Sequence, residues 1–394
     1  MKKKSILYLV VIIVFAIGCS SDKHEHGLPY IDISKNYPKK EIILTDIADI
    51  NYLCINSDDD EYLYKGFISC VTKNTIVIIE NRSGKILFFT KDGKPKSYFN
   101  NKGQGPEEYT GPSRVLYDEA KDEAFVYTHF SNFQVYTSSG EYKRTIVLPK
   151  ETALNSIFSF DEESLFLYDA IHHSPNRKRV TTDKTSYPVQ NYNTPFVRIS
   201  KVDGKVLDYV ELPSNNIELW EGSDPRLLTH HIISCSNGLL LCNPETDTVF
   251  LYSKEKALTP VICKTPLVTT LDPKVILNNC MDYGNYQYIE IGTARYTGDP
   301  YNAFPLKYFM RDKKTGEVFL QKIILPDYKG KDFVISPRTS GHFYEDGTYF
   351  ELDLIELKKA YIENRLSGKL KELVSTLDEE KDNDVIMFVH FKKD

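Results

Sequence analysis

The chain has 394 residues, 41% hydrophobic and 12% aromatic, with a formal net charge of −6. That length is long for one ordinary domain and allows a large core. The acidic balance argues against a nucleic-acid partner, whose phosphates need clustered Lys and Arg.

At the N-terminus, Lys2, Lys3 and Lys4 precede an apolar run, Ile6–Ile17, and Gly18 and Cys19 follow. A basic head, a short apolar stretch and a small residue before the cut make an export signal. The run spans roughly 18 Å as a helix, short of a ~30 Å hydrocarbon core. The placement of Cys19 resembles a bacterial lipobox, with Ala16 and Ile17 where Leu and then Ala or Ser are usual. The resemblance implies a signal peptide over residues 1–18, acylation of Cys19 (palmitate among the acyl chains) and a lipidated tether over 19–40. Two or more acyl chains hold a protein stably on a bilayer. Ser20 replaces the acidic residue linked to inner-membrane retention, so the expected location is the outer membrane, on either face. Ser21-Asp22-Lys23-His24-Glu25 reads as a solvated stretch or, by a looser resemblance, as a surface-export tag of Bacteroides-type lipoproteins.

Six cysteines remain beside Cys19. Cys54, Cys70, Cys235, Cys242 and Cys263 sit in apolar, strand-like runs and read as small buried thiols. Cys235 and Cys242 are the pair that a hairpin would bring together. No Cys-x-x-Cys or paired Cys/His spacing points to structural zinc.

From Gly66 onward the chain repeats a hairpin. The 27 Tyr and 21 Phe favour strands. Lys91-Asp92-Gly93, Ser138-Ser139-Gly140, Val202-Asp203-Gly204 and Lys314-Thr315-Gly316 each separate two apolar runs, and the last three lead to Pro149, Pro213 and Pro326. Glycine accepts the positive φ of a tight turn, and proline closes a strand because it cannot donate to a ladder. A weaker copy, Thr248–Pro266, lacks the glycine. Four strands are expected in the first unit, over 66–71, 75–80, 85–90 and 96–100. The second repeats them over 113–118, 123–127, 132–137 and 142–148. Ile171–Pro195 and Gly292–Asn302 read as long loops inside the third and fifth units. Four antiparallel strands per unit, repeated radially, make a β-propeller, and six units fit before the C-terminus.

The sixth unit differs. His342–Phe350 is a hairpin, and Leu366, Leu370, Leu373 and Leu377 form a helical stripe, broken at Gly368. Val385–Phe391 reads as a strand, as does Glu41–Ile55 near the other terminus. Pairing those two would close the ring and remove two open edges. The expected fold is therefore an all-β, six-bladed propeller over 41–394. Its last blade is a composite of N- and C-terminal strands, with a helical insertion near 352–377.

Three segments resemble the six-bladed β-propeller lipoproteins of Bacteroides-type bacteria. Gly103-Gln104-Gly105-Pro106-Glu107-Glu108-Tyr109 resembles that family's G-x-G-P-G-E-Y link between the first two blades, with Glu107 replacing a glycine. Asp247-Thr248-Val249-Phe250 resembles a D-T-V-Y strand start, and Leu370–Phe391 resembles the closing helix and strand. The resemblance implies the fold and leaves the activity open.

Candidate site residues are few. His172-His173 and His230-His231 are the only histidine doublets, and neighbours on a strand face opposite ways, so His172 and His230 would each offer one ring. Trp220, the lone tryptophan, could stack on a sugar or anchor a peptide, with Arg226 and Tyr192 as polar neighbours. Asp58-Asp59-Asp60-Glu61 reads as a solvated bend; calcium loops stagger their ligands around a glycine. The Gly103 loop lacks the Lys-Ser/Thr of a phosphate cradle and reads as a link between blades. No Gly-x-Ser-x-Gly or His-Glu-x-x-His is present, and no cofactor is expected. These features describe a monomeric, membrane-tethered, non-catalytic module that binds a glycan, a peptide or a partner protein. A hydrolase or lyase at the channel mouth is the alternative, resting on fold analogy.

Overall fold

Short alternating apolar runs cut by Gly- and Asp-rich turns give this chain mostly antiparallel strands. The computed structural model describes residues 27–55, 59–128, 132–148, 154–169, 178–180, 186–188, 196–213, 231–243, 246–294, 305–339, 341–343 and 347–393. Three strands come first, β1 (Tyr30–Asp32), β2 (Lys39–Ile43) and β3 (Ala48–Cys54), with one helical turn, α1 (Leu44–Ile47), before β3. Blade 1 is β4 (Gly66–Val71), β5 (Thr75–Glu80), β6 (Ile86–Thr90) and β7 (Pro95–Phe99). Blade 2 is β8 (Arg114–Asp118), β9 (Glu123–Tyr127), β10 (Phe133–Tyr136) and β11 (Tyr142–Ile146).

In blade 3, β12 (Leu154–Ser159) and β13 (Ser164–Asp169) precede a small hairpin, β14 (Lys178–Val180) and β15 (Ser186–Pro188), then β16 (Phe196–Ser200) and β17 (Val206–Val210). The expected loop at Ile171–Pro195 thus contains a strand pair of its own. Blade 4 is β18 (Ile232–Cys235), β19 (Gly238–Leu241), β20 (Thr248–Ser253) and β21 (Leu258–Thr265). Blade 5 is β22 (Val275–Tyr283), β23 (Tyr286–Thr293), β24 (Leu306–Asp312) and β25 (Val318–Ile324), to which β26 (Asp332–Phe333) adds. Blade 6 begins with β27 (Gly341–Phe343) and β28 (Gly347–Leu352). Helices α2 (Leu354–Ile362) and α3 (Gly368–Thr376) intervene before β29 (Val385–Phe391), and β3 completes the blade.

Innermost strands pack side by side, β27 on β4, β4 on β8, β8 on β12, β12 on β18 and β18 on β22. The chain is a six-bladed β-propeller. Its core is a set of apolar clusters wedged between successive blades, such as Phe88, Phe99, Val126 and Tyr136 between blades 1 and 2.

The N-terminal strands differ from the expected closure. Only Ala48–Cys54 pairs with β29, in register from Ala48 opposite Phe391 to Cys54 opposite Val385. Glu41–Ile43, read as part of the same strand, belongs instead to β2, which lies parallel on β25 of blade 5, and Tyr30–Asp32 lies parallel on β21 of blade 4. The turn α1 breaks the apolar run because Leu44 is fully buried and must leave the edge of blade 5. Residues 30–54 thus form a belt on three consecutive blades, adding an outer strand to blades 4 and 5.

The recurring glycine has two causes. Gly93, Gly140, Gly204 and Gly316 all have φ between +74° and +88°, a region that costs other residues about 1–2 kcal/mol. Three also meet the outer strand of the preceding blade: a Cβ would lie 2.9 Å from Leu53 at Gly93, 2.5 Å from Phe99 at Gly140, and 2.5 Å from the Val147 carbonyl oxygen at Gly204. Gly140→Ala is expected to cost about 2–4 kcal/mol, from strain plus overlap, read as a lower urea midpoint at unchanged slope. In blade 4 Lys256 takes the glycine's place at φ +65° and closes the same turn, its N–H donating to the Ser253 carbonyl at 2.9 Å. Lys256→Gly is expected to stabilise by about 0.5–1 kcal/mol, since relief of strain exceeds the added chain entropy. A fall in thermal midpoint would contradict that.

The Gly103–Tyr109 segment is a link between blades 1 and 2. The Gly105 N–H donates to Glu108 Oε2 at 2.7 Å, and a Cβ at Gly103 would sit 1.9 Å from that oxygen. Tyr109, buried, donates its hydroxyl to the Gly84 carbonyl at 3.0 Å and accepts the Asn101 N–H at 3.1 Å. The glycines make room for a carboxylate that folds the link on itself. Cys235 and Cys242 do not approach as a hairpin pair: Cys235 is opposite Gly238, and Cys242 bonds across to His231 at the other end of the hairpin. Neither cysteine forms a disulfide, and the Cys235 thiol donates to the Gly238 carbonyl at 3.5 Å.

Candidate functional site

Tyr192 and His172 fall between β13 and β16, and Trp220, Arg226 and His230 between β17 and β18. All five, like Cys19, lie outside the described residues. His231 is described and is a core residue. It is fully buried, stacked on Tyr168 with ring centroids 3.5 Å apart and planes 7° from parallel, and its Nδ1 lies 3.1 Å from the Cys242 carbonyl oxygen. Of the acidic run, Asp59 caps the turn over Asp60–Tyr62 through the Glu61 N–H, and Glu61 pairs with Lys85 at 2.6 Å.

Each blade's innermost strand begins at the same end of the ring, here the leading end. There the chain passes between blades and from second to third strands. The registers Leu154 opposite Asp169, Phe196 opposite Val210 and Ile232 opposite Leu241 place the strand ends flanking both segments at this end. Propellers present ligand-binding loops at such an end.

A cleft of about 290 Å³ opens at the leading end between blades 5 and 6. Its walls come from separate stretches. One is the turn after β25, with Tyr328 and Lys331, running on into β26. The second is the end of β28, Phe350–Leu352, and the third is the start of α2 with Asp353, Glu356 and Leu357. Phe333 and Phe350 meet edge to face at 5.6 Å and, with Leu352 and Leu357, form an apolar floor. Asp353 is the N-cap of α2, accepting the Glu356 N–H at 2.8 Å, which fixes the acidic wall. Lys331 pairs with Glu356 at 3.0 Å.

The face of β28 opposite the cleft floor joins blade 6 to blade 1. The Tyr349 hydroxyl donates to the Ile68 carbonyl at 3.3 Å, and the Ile68 N–H donates to Glu351 Oε1 at 3.3 Å. Tyr349 lies over Gly341, where a Cβ would overlap its ring at 1.9 Å. The Glu351 side chain is exposed overall, and its carboxyl is partly buried against the protein. That burial pushes it up to about 7, against the Ile68 N–H that favours its charge, and nearby Asp384 adds to the rise. Asp384 is itself raised by burial, and by Asp353, while accepting the Leu354 N–H at 2.8 Å.

A folded-state value above the unfolded one means Glu351 favours folding most below about pH 4.5. That contribution fades as pH climbs through about 7. Glu351→Gln is expected to flatten this part of the profile, so its thermal midpoint falls less between pH 5 and 8 than the wild type's. Parallel profiles would contradict the assignment.

Two other polar features face this end. In β22 a bulge at Asn278 puts Asn278 and Asn279 against Glu290 of β23. Asn278 Nδ2 and Arg338 Nε both donate to Glu290 Oε1 at 3.0 Å. Among the described residues, Glu290 Oε2, Asn278 Oδ1 and both amide atoms of Asn279 are buried without a partner. At the start of β8, the Arg114 side chain forms no ion pair among the described residues, and burial lowers its proton affinity.

Sequence reasoning missed Asp332, Glu351, Asp353 and Glu356. Asp353-x-x-Glu356 was readable as a helix start, but nothing local says which cleft that start would wall.

The family model DUF5128, described as a 6-bladed beta-propeller, matches residues 20–197. No curated protein matches the chain at a significant level. Among solved structures, a Bacteroides fragilis protein described as exported is similar at 15% identity, over 92% of this chain and 100% of its own, with a TM-score of 0.59. A duf4221-family member from Bacteroides vulgatus is 12% identical over 88% and 98%, with a TM-score of 0.47. A virginiamycin B lyase from Staphylococcus aureus is 10% identical over 87% and 100%, with a TM-score of 0.38. At 15% identity, what this chain shares with the Bacteroides fragilis protein is its fold.

Proposed function

We propose that this chain is a lipid-anchored, non-catalytic binding module of the cell envelope, held in the outer membrane through Cys19, that engages a peptide or partner protein at its leading end. The observation that carries the binding reading is the cleft between blades 5 and 6, an apolar floor inside a charged rim on a rigid ring. The anchor reading rests on Lys2–Lys4, the apolar run and Cys19. Cys19→Ala is expected to move the protein from the membrane to the soluble fraction of lysed cells without changing its thermal midpoint. Unchanged membrane association would reject the anchor. Pull-down of the mature chain from intact cells, compared with one whose cleft is filled by Leu357→Trp, tests the binding reading. Equal recovery of partners by both would reject this cleft as the site.

A further inference from the structure

We propose that the cleft between blades 5 and 6 takes a lysine or arginine side chain presented by an extended basic segment of a partner protein. This assignment rests on the binding-module reading and names the chemistry of its ligand. Three observations converge on it.

The first is size. About 290 Å³ lies at the lower bound of ligand sites, which run about 300–1,000 Å³. The space suits one long side chain rather than a folded element. The second is the floor: Phe333, Phe350, Leu352 and Leu357 are all buried and apolar. A lysine or arginine stem lies well on such a surface while its charged head stays at the rim. The third is charge complementarity. The cleft is rimmed by the carboxylates of Asp332, Asp353 and Glu356 against one cation, Lys331, and that ammonium is already paired with Glu356 at 3.0 Å.

The carboxylates are not all committed to the fold. Asp353 uses only one oxygen, as the helix cap. Asp332 holds its place through backbone pairing with Ile324, leaving its exposed carboxylate at the mouth. An anionic segment would meet repulsion from this rim, and a neutral saccharide would leave the charges without partners.

The test uses the unlipidated chain from Ser20 and a fluorescent eight-residue peptide alternating lysine with serine. Parallel probes carry glutamate in place of lysine, or are a neutral oligosaccharide. Anisotropy at low salt is expected to show binding of the lysine peptide alone, weakening as salt rises. Asp332→Lys reverses an exposed charge that forms no ion pair among the described residues and feels only the more distant Lys322, and is expected to weaken binding about tenfold, the size of one partly exposed charge contact. Glu141→Lys, at an exposed turn on the opposite end of blade 2, changes net charge equally and is expected to leave affinity within about twofold. Equal loss in both variants, or preference for the glutamate peptide or the saccharide, would overturn the proposal. Absence of lysine-peptide binding while Leu357→Trp still abolishes partner recovery would reject the basic ligand and spare the binding-module reading. Absence of both would reject both.

Discussion

Replacing Asp247 by alanine is expected to lower the unfolding free energy by about 3–5 kcal/mol, the range for stripping one partner from a buried ion pair. Lys264 is fully buried, and its Nζ lies 2.7 Å from Asp247 Oδ1 and 2.6 Å from the Pro266 carbonyl oxygen. Both Asp247 oxygens also accept the Val268 N–H at 3.0 Å. The pair fixes the end of β21 where β1 joins it, Ile31 lying opposite Lys264. Without the carboxylate, an ammonium remains in an apolar place; burial already lowers its proton affinity. The double variant Asp247→Leu with Lys264→Met removes both charges and is expected to recover most of the loss, because well-packed apolar replacements of buried pairs are often neutral. The unpaired Val268 N–H keeps the recovery below complete. Urea unfolding of the three proteins measures this. A single variant within 1 kcal/mol of wild type would show that the pair is solvated.

Removal of the belt has the other large effect. A chain starting at residue 56 loses β1, β2 and β3, and with them the buried side chains of Ile31, Ile42 and Leu44. Those three alone represent about 5–9 kcal/mol of burial, comparable with the whole stability of an ordinary domain, about 5–15 kcal/mol. Seven residues of β29 become an open edge, a template for aggregation. The expected result is an insoluble product. A chain starting at residue 36 loses only β1 and is expected to fold with a lower midpoint, whereas one starting at Gly27 is expected to match the full-length protein. Soluble, cooperative unfolding of the shortest chain would show that blade 6 closes without β3.

Much of the ring was legible in the sequence because hairpins are local. Strands of the first two blades were readable within a residue or two, from Gly66–Val71 to Tyr142–Ile146, since turn glycines and alternation fix register together. The belt was not legible. Parallel pairing of Lys39–Ile43 on a distant outer strand leaves no turn signal, so Glu41–Ile55 read as one strand. The cleft was less legible still. Asp332 and Glu356 are ordinary charged residues on two elements, and only the meeting of blade 5 with blade 6 makes them one rim. By contrast, His231, half of a doublet that drew attention as chemistry, is held by stacking on Tyr168 in the core.

Site-specific photo-cross-linking in intact cells tests most directly whether the leading end is the working face. One probe replaces Asp332 at the cleft mouth, and the other replaces Ser139 in a turn on the opposite end of the ring. Discrete adducts from position 332, competed by the lysine peptide and absent from position 139, are the expected result. Adducts from 139 alone, or from neither position in cells that retain the anchored protein, would contradict it.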